Sequence, residues 1–276
     1  MDILPVWSEN CAVRFGAVDR SDSITLDAVL GLFQEAAISH AENLGVGRNA
    51  LLLANQAWVF SRMSVLIDRR SKYGENITVR SWPRGSEKLF AIRDYDIRDE
   101  SDNAVVRARS CWLVIDVEKR RPLRPDSVVA KMPRNEGIAS IMPPDALPAS
   151  LDDRQLPGMA GAHYTERRAL YTDIDYYGHV NNVSYIRWIE DAIDPALLEQ
   201  AGRMRLDINY LNEVLPGELL VLWSAEINPT NFNSTDIKPT ENSGDPPMHT
   251  FVFEGRKNSG ALPSFRAELK FESFSC

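Results

Sequence analysis

The spacing of apolar residues predicts one long helix near the start of the chain. Over residues 26–45 apolar side chains recur every three or four positions, which places them on one helix face. Gly45 and Gly47 follow and predict where the helix ends. The residues on the predicted buried face are Val29, Leu30, Phe33, Ala36, Ala37, His40 and Leu44.

Four strand-like segments follow this helix, and short clusters of turn-forming residues separate them. We place the turns at residues 72–75, 83–86 and 99–103. The first half of the chain is therefore predicted to be a long helix followed by an antiparallel meander. The predicted strands cover residues 57–67, 76–82, 88–98 and 104–116.

The second half repeats this order of elements. Residues 33–37, FQEAA, resemble residues 188–192, WIEDA, and the Gly-Glu pair at 74–75 matches the pair at 217–218. An internal duplication of about 145–155 residues accounts for both matches. The predicted fold class is α+β, with two copies of one helix-on-sheet unit. In this half we predict an extended segment at 162–171, a helix at 182–201, and strands at 205–211, 218–228, 249–257 and 264–271.

A proline-rich stretch separates the two halves. Residues 122–157 hold seven of the sixteen prolines and no long periodic pattern, which indicates a connector wrapped on the surface. The predicted domains are residues 1–121, 122–160 and 161–276. Residues 229–248 are dense in Asn, Ser, Thr and Pro and predict a mobile hairpin extension, to which we assign no function.

Composition and charge exclude several classes of protein. The 276 residues are 44% hydrophobic and include six Trp, ten Phe and eight Tyr, which argues against intrinsic disorder. No stretch approaches the roughly 18 apolar residues of a membrane span. The net charge of −8 lacks the basic excess typical of nucleic-acid binding. Three widely spaced cysteines and an N-terminus without a targeting pattern predict a cytoplasmic protein.

No cofactor and no metal are expected from the motifs. The chain has no GxGxxG or Walker loop, which leaves nucleotide cofactors without support. His40, His163 and His249 lack the spacing of metal ligands. A GxSxG elbow is also absent, which argues against an α/β-hydrolase.

One segment combines groups that can do chemistry. Residues 171–185, YTDIDYYGHVNNVSY, crowd acids, a histidine and two asparagines before the second predicted helix, which one asparagine can cap. Gly178 allows a tight turn there. Free N–H groups and the positive dipole end at a helix start stabilise the oxyanion formed when an acyl carbonyl is attacked. Asp175 and His179 could orient substrate and water, although capping and simple packing also account for such residues.

The string Asp-x-x-Gly-His-Val-Asn-Asn-x-x-Tyr-x-x-Trp-x-Glu-Asp-Ala, residues 175–192, resembles the active-site signature of hotdog-fold thioesterases. Residues 33–37, 40–45, 58–63 and 108–114 resemble segments of acyl-ACP thioesterases, and the resemblance spans nearly the whole chain apart from the connector and the late insertion. It implies a tandem hotdog fold of two fused units, each a long helix wrapped by an antiparallel sheet. It further implies hydrolysis of fatty acyl chains from the phosphopantetheine arm of acyl carrier protein.

Carried over residue by residue, the resemblance implies that Asp175, His179 and Glu213 are catalytic, with Glu213 on the strand after the helix. In plant members an Asn stands where this chain has Tyr177 and a Cys where it has Val214, so that thiol nucleophile is missing. Two routes stay open: a carboxylate activates water as general base, or a carboxylate attacks directly. The expected substrate-binding residues are Gly178, Val180, Asn181 and Asn182. Backbone N–H groups near Val180 are expected to polarise the carbonyl of the substrate.

The first half lacks this machinery. It has no histidine in the matching segment, residues 22–27, and Arg70 lies near the position that matches Glu213. The resemblance implies that this degenerate copy holds the acyl chain. Its apolar helix face fits a plain hydrophobic core equally well.

Two other functions stay open from the sequence. An acyl-CoA thioesterase would share the chemistry, and Tyr177 leaves room for a non-catalytic acyl-binding hotdog protein. The expected partner is an acyl carrier protein with its phosphopantetheine-linked acyl chain. Residues 69–72 and 119–121 are candidate basic docking patches, although a solvated face explains them more simply. A homodimer is also left open.

Overall fold

The protein divides into two compact units. Unit 1 contains Met1–Val65 and Arg70–Ala149, and unit 2 contains Leu66–Arg69 and Ser150–Cys276. Within the ranges described, every helix is too short or too polar to cross a lipid bilayer. The computed structural model describes residues 2–135, 138, 148, 150–151, 156, 161–227, 248–257 and 262–273.

Unit 1 packs one long helix on an antiparallel sheet. Its helices are α1 (Leu26–Asn43), α2 (Arg48–Leu53) and α3 (Asp126–Val129). Its strands are β1 (Trp7–Ala12), β2 (Gln56–Ile67, of which the last two residues are assigned to unit 2), β3 (Asn76–Glu87), β4 (Phe90–Arg98), β5 (Ala104–Asp116) and β6 (Arg121–Leu123). The strand order is β1-β3-β4-β5-β2, with β6 on β5, and the pairs β1/β3, β3/β4 and β4/β5 are antiparallel.

Helix α1 confirms the first predicted helix and its buried face. Thr25 caps its start by accepting a hydrogen bond from the Ala28 N–H at 3.4 Å. The predicted apolar positions are buried, including Val29 and Phe33, and the helix packs on β3. Gly45, at φ +68°, follows the helix in the left-handed region that favours glycine.

The predicted turn at residues 83–86 is wrong. Strand β3 continues through it to Glu87, and its register against β4 shifts between Pro83 and Gly85. A β-bulge at this point absorbs the extra residue, and Gly85 at φ +99° fits it. The turn itself falls at Lys88, which has a φ of +56°.

Unit 2 has the same kind of architecture. Its helices are α4 (Asn182–Glu190) and α5 (Pro195–Glu199), and its strands are β7 (His163–Arg168), β8 (Ala201–Tyr210), β9 (Leu219–Glu226), β10 (Met248–Lys257) and β11 (Pro263–Ser273). The strand order is β8-β11-β10-β9-β7, antiparallel throughout. Tyr185 of α4 packs on Phe265 of β11, with ring centroids 5.0 Å apart. The helix therefore lies on the sheet.

The predicted helix at 182–201 is wrong beyond its first half. Helix α4 ends at Glu190, and α5 begins separately at Pro195, with Asp194 as its N-cap. Proline lacks an N–H and disfavours helical geometry at the residue before it, so it starts a new helix instead of continuing the old one. Ala201 already belongs to β8.

The connector and the late insertion are described only in part. Residues 122–135 include the end of β6 and all of α3, and Val128 is buried with Leu44 and Val114 of unit 1. The predicted hairpin extension at 229–248 lies almost wholly outside the described residues. The predicted division into residues 1–121, 122–160 and 161–276 stays a prediction.

The helix starts of the two units are built alike, which supports a duplication. Thr25 caps α1 as Asn181 caps α4. Counted from these caps, Phe33 corresponds to Ile189, so the match between residues 33–37 and 188–192 is one residue off. An isolated bridge precedes each helix: Val18 with Ile24 in unit 1, and Ile174 with Val180 in unit 2.

Candidate active site

A tight turn presents Asp175 and His179 at the start of α4. The Asp175 N–H donates to the His179 carbonyl at 2.8 Å, and the Gly178 N–H donates to the Asp175 carbonyl at 3.0 Å. Gly178 has a φ of +82°, which glycine adopts at little cost and other residues resist. Gly178 therefore allows the tight turn, as predicted from the sequence.

The Asp175 carboxylate braces this turn from within. Its Oδ1 accepts hydrogen bonds from the Tyr177 N–H at 2.8 Å and, more weakly, from the His179 N–H at 3.4 Å. In the part of the chain that the structure describes, no hydrogen bond reaches its Oδ2. One oxygen thus holds the backbone, and the other is left for water or substrate.

The N–H of Val180 itself is already used, because it donates to the Val214 carbonyl at 2.9 Å. The N–H groups near Val180 that are predicted to polarise the carbonyl therefore do not include its own. Asn181 is the N-cap, and its Oδ1 accepts the Val183 N–H at 3.0 Å. Among the described residues, nothing accepts the N–H of Asn182 in the first turn of α4, which makes it the better candidate donor.

Glu213 reaches this turn from a distant part of the chain. It lies in the loop after β8, not on the predicted strand, and its Oε2 is 3.2 Å from Nε2 of His179. The two side chains are 49% and 40% exposed, so water can reach them. Next to Glu213, the Val214 side chain is fully buried, which keeps the loop against unit 2.

The quoted signature includes Tyr185, to which the sequence assigned no role. Its side chain is buried in unit 2, where it packs on Phe265, and burial raises the pKa of the phenol well above its usual value.

Unit 1 carries a different set of side chains at the corresponding turn. Counted from the helix caps, Asp19 takes the place of Asp175 and Ser23 that of His179, so the segment predicted to match, residues 22–27, begins three residues too late. Arg70 takes the place of Glu213, as the sequence predicted. Arg70 Nη1 lies 2.6 Å from Asp19 Oδ2, and Arg70 is 9% exposed. Although burial opposes it, hydrogen bonds from Ser21 and the charge of Arg70 lower the pKa of Asp19. The Asp19–Arg70 ion pair therefore closes this turn. Because Arg70 is buried, its side chain is not exposed for the docking patch suggested at residues 69–72.

The unit 2 arrangement supplies the groups that ester or thioester hydrolysis needs. A carboxylate beside an imidazole can take a proton from water, and a helix-start N–H can stabilise an oxyanion. Among the described residues, no group of three or more His, Cys, Asp or Glu side chains could hold a metal ion.

Two family models match the sequence. The acyl-ACP thioesterase N-terminal domain matches residues 5–132, and the acyl-ACP thioesterase C-terminal domain matches residues 161–250. A palmitoyl-acyl carrier protein thioesterase of Cuphea hookeriana is 29% identical over 221 residues, covering 75% of this chain and 52% of the relative. An oleoyl-acyl carrier protein thioesterase of Arabidopsis thaliana is 24% identical over 250 residues, covering 83% and 67%. The chain thus spans about half the length of the first of these curated relatives.

Solved structures share the fold along almost the whole chain. An acyl-ACP thioesterase from Bacteroides thetaiotaomicron superposes with a TM-score of 0.76 at 22% identity, covering 97% of this chain and 98% of that one. A 12:0-ACP thioesterase from Umbellularia californica gives 0.79 at 19%, covering 98% and 94%. These similarities confirm the predicted tandem hotdog fold. Because the two domain models together match most of its length, the chain belongs to the acyl-ACP thioesterase family.

Proposed function

We propose that the protein hydrolyses the thioester between a fatty acyl chain and the phosphopantetheine arm of acyl carrier protein, releasing free fatty acid. The observation that carries this proposal is the 3.2 Å contact between His179 Nε2 and Glu213 Oε2 at the start of α4. Its support is membership of a family whose relatives are named acyl carrier protein thioesterases.

The proposed roles follow from the contacts at the turn. Glu213, paired with His179, or the free Oδ2 of Asp175 takes a proton from the attacking water; direct carboxylate attack is the alternative. The Asn182 N–H stabilises the oxyanion on the former carbonyl carbon. When the tetrahedral intermediate collapses, the C–S bond breaks and the thiolate leaves with the pair of electrons. The base then gives the proton that it took from the water to the thiolate, which restores the thiol.

Unit 1 is the proposed acyl-chain unit, with the domain limits predicted from sequence. At the corresponding turn it carries the Asp19–Arg70 ion pair in place of the imidazole and carboxylate, so that turn does not offer the pair proposed for hydrolysis. Its long apolar helix α1 is consistent with binding a hydrocarbon chain, although Val29 and Phe33 also pack as core.

The proposed partner is acyl carrier protein, and the proposed location is the cytoplasm. Cys11 and Cys111 are free, which supports a reducing compartment. Burial raises the pKa of the Cys111 thiol to about 12, so this cysteine is a structural residue and not a nucleophile. A homodimer stays an open alternative.

The test compares variants of the full chain on matched substrates. Purified protein is incubated with acyl-carrier and acyl-CoA thioesters of several chain lengths, and free thiol is followed. We expect Asp175→Asn, His179→Ala and Glu213→Gln each to lower kcat by a factor of about 10² or more. The matched control is Glu226→Gln, since Glu226 forms a second carboxylate–histidine pair with His249, at 2.7 Å, in the same unit.

Each outcome has a definite meaning. Near-normal turnover in all three variants, with normal circular dichroism, would refute the assigned site. Release from CoA but not from the carrier would make the protein an acyl-CoA thioesterase. Binding of the acyl carrier without thiol release would make it a non-catalytic acyl-binding protein.

A further inference from the structure

The turn between Asp175 and His179 exposes two large aromatic side chains, Tyr176 and Tyr177, which we call the tyrosine pair. Tyr176 is 80% exposed and Tyr177 is 53% exposed. Their ring centroids lie 6.1 Å apart with an angle of 74° between the ring planes, so the edge of one ring faces the other. Adjacent aromatic rings at a protein surface are typical of a place where a ligand or partner binds.

The backbone of the turn fixes the tyrosine pair beside the candidate active site. The Tyr177 N–H donates to Oδ1 of Asp175 at 2.8 Å. Tyr177 is also two residues before His179, whose Nε2 lies 3.2 Å from Oε2 of Glu213. The two rings therefore belong to the same turn as the groups proposed for hydrolysis, and their surface is continuous with that site.

Unit 1 forms the same turn without aromatic residues. Counted from the helix caps, Arg20 and Ser21 take the places of the tyrosine pair. Oδ1 of Asp19 accepts the Ser21 N–H at 2.8 Å and the Ser23 N–H at 3.2 Å, as Oδ1 of Asp175 does with its own turn. The shape of the turn thus does not require the two rings. They occur at the turn that carries the imidazole and carboxylate.

The chemistry of an acyl thioester decides which part of the substrate the tyrosine pair can bind. From the thioester the hydrocarbon chain extends in one direction, and the pantetheine arm extends in the other, toward the carrier in water. A hydrocarbon chain gains most when it is enclosed on all sides, which two rings at an open surface cannot do. The pantetheine arm alternates amides with short apolar groups, so one side of it can pack on the rings while its amides stay hydrated.

We propose that Tyr176 and Tyr177 bind the pantetheine arm of the acyl-carrier substrate and so hold its thioester beside His179. This inference rests on the proposed hydrolysis. It gives a role to Tyr177, which stands where plant members carry an Asn. That role is binding and not proton transfer, so loss of a ring should raise KM and leave kcat nearly unchanged.

The test removes each ring and keeps the turn. Tyr176→Ala and Tyr177→Ala leave in place the backbone N–H that Asp175 accepts. For each we expect kcat/KM with the acyl-carrier substrate to fall about tenfold, which corresponds to roughly 55 Å² of apolar ring surface buried at about 25 cal/mol per Å². Tyr177→Phe keeps the ring and should stay within about twofold of the unmodified protein.

The matched control is Tyr164→Ala. Tyr164 is 62% exposed, and its ring centroid lies 5.1 Å from that of Trp223, so it is another exposed tyrosine of unit 2 packed on a second ring. It lies in β7, four residues or roughly 13 Å along the strand from the end at Arg168 that leads toward the candidate site. This variant should keep kcat/KM within about twofold.

A series of substrates with the same acyl chain shows which part of the substrate the rings contact. The series contains the acyl-carrier substrate, the acyl-pantetheine thioester, which has the arm without the protein, and the S-ethyl thioester, which has no arm. Tyr176→Ala and Tyr177→Ala should lose about tenfold in kcat/KM on the first two substrates. On the S-ethyl thioester they should lose less than twofold, because no arm remains to be bound.

Several results would overturn the inference alone, given an active unmodified enzyme and variants with normal circular dichroism. They are normal kinetics in both Ala variants, equal losses on all three substrates, a loss confined to the acyl-carrier substrate, an equal loss in Tyr164→Ala, or a loss that appears in kcat and not in KM. Absence of hydrolysis by the unmodified protein would refute the proposed function, and this inference with it.

Discussion

Replacing Asp175 by Asn and by Ala separates its two suggested roles. Oδ1 accepts two backbone N–H groups, from Tyr177 at 2.8 Å and His179 at 3.4 Å, and an Asn oxygen can accept both. An Ala accepts neither. One good and one long hydrogen bond at a cap-like position contribute about 1–2 kcal/mol. We therefore expect Asp175→Ala to lower the melting temperature by roughly 3–6 °C, and Asp175→Asn to lower it by less than half as much.

Activity should not follow stability in this pair of variants. If the Asp175 charge acts on water or substrate, both variants lose it, and both should lower kcat by a factor of about 10² or more. The assays are thermal melts by circular dichroism and thiol release from an acyl-carrier substrate. An Asp175→Asn variant that keeps more than a tenth of kcat would show that the carboxylate serves only the turn.

Three further predictions concern stability, each measured by chemical or thermal unfolding. Gly178→Ala should cost about 1 kcal/mol, because a Cβ at φ +82° meets no neighbouring atom but is strained; a change below a few tenths would contradict this. Arg70→Met should destabilise by about 3 kcal/mol, because it leaves the partly buried Asp19 carboxylate without its cation, and an unchanged melt would refute that. Burial and the neighbouring Arg93 lower the pKa of His40 from 6.5 to about 4. The unfolded chain therefore binds the extra proton first, and stability should be full above pH 6.5 and fall by up to about 3 kcal/mol toward pH 4. His40→Gln should flatten this dependence, and a pH profile identical to that of the unmodified protein would contradict it.

Much of the fold is encoded in local patterns. The apolar spacing of α1 is set by residues within one helix, so its start and buried face were predicted well. The end of α4 was missed although Asp194 and Pro195 mark it, because the apolar period continues past the break. The bulge at Pro83 was mistaken for a turn, since the same residues form both, and only pairing with β4 distinguishes them.

The turn of the candidate site could also be predicted from the sequence. Gly178 and Asn181 act through neighbours a few residues away, and such contacts depend on spacing alone. The occupied N–H of Val180 was not predictable in the same way, because its acceptor is the carbonyl of Val214, far along the chain.

By itself, the sequence determined a helix followed by strands in each half, the duplicated plan and the turn at Asp175. Resemblance to a family suggested Glu213, but the tertiary structure decided that its carboxylate meets His179. The physical reason is how far apart the contacting residues lie along the chain. Local contacts depend on spacing along the chain, whereas distant groups meet only after helix and sheet have packed and their loops have been held in place.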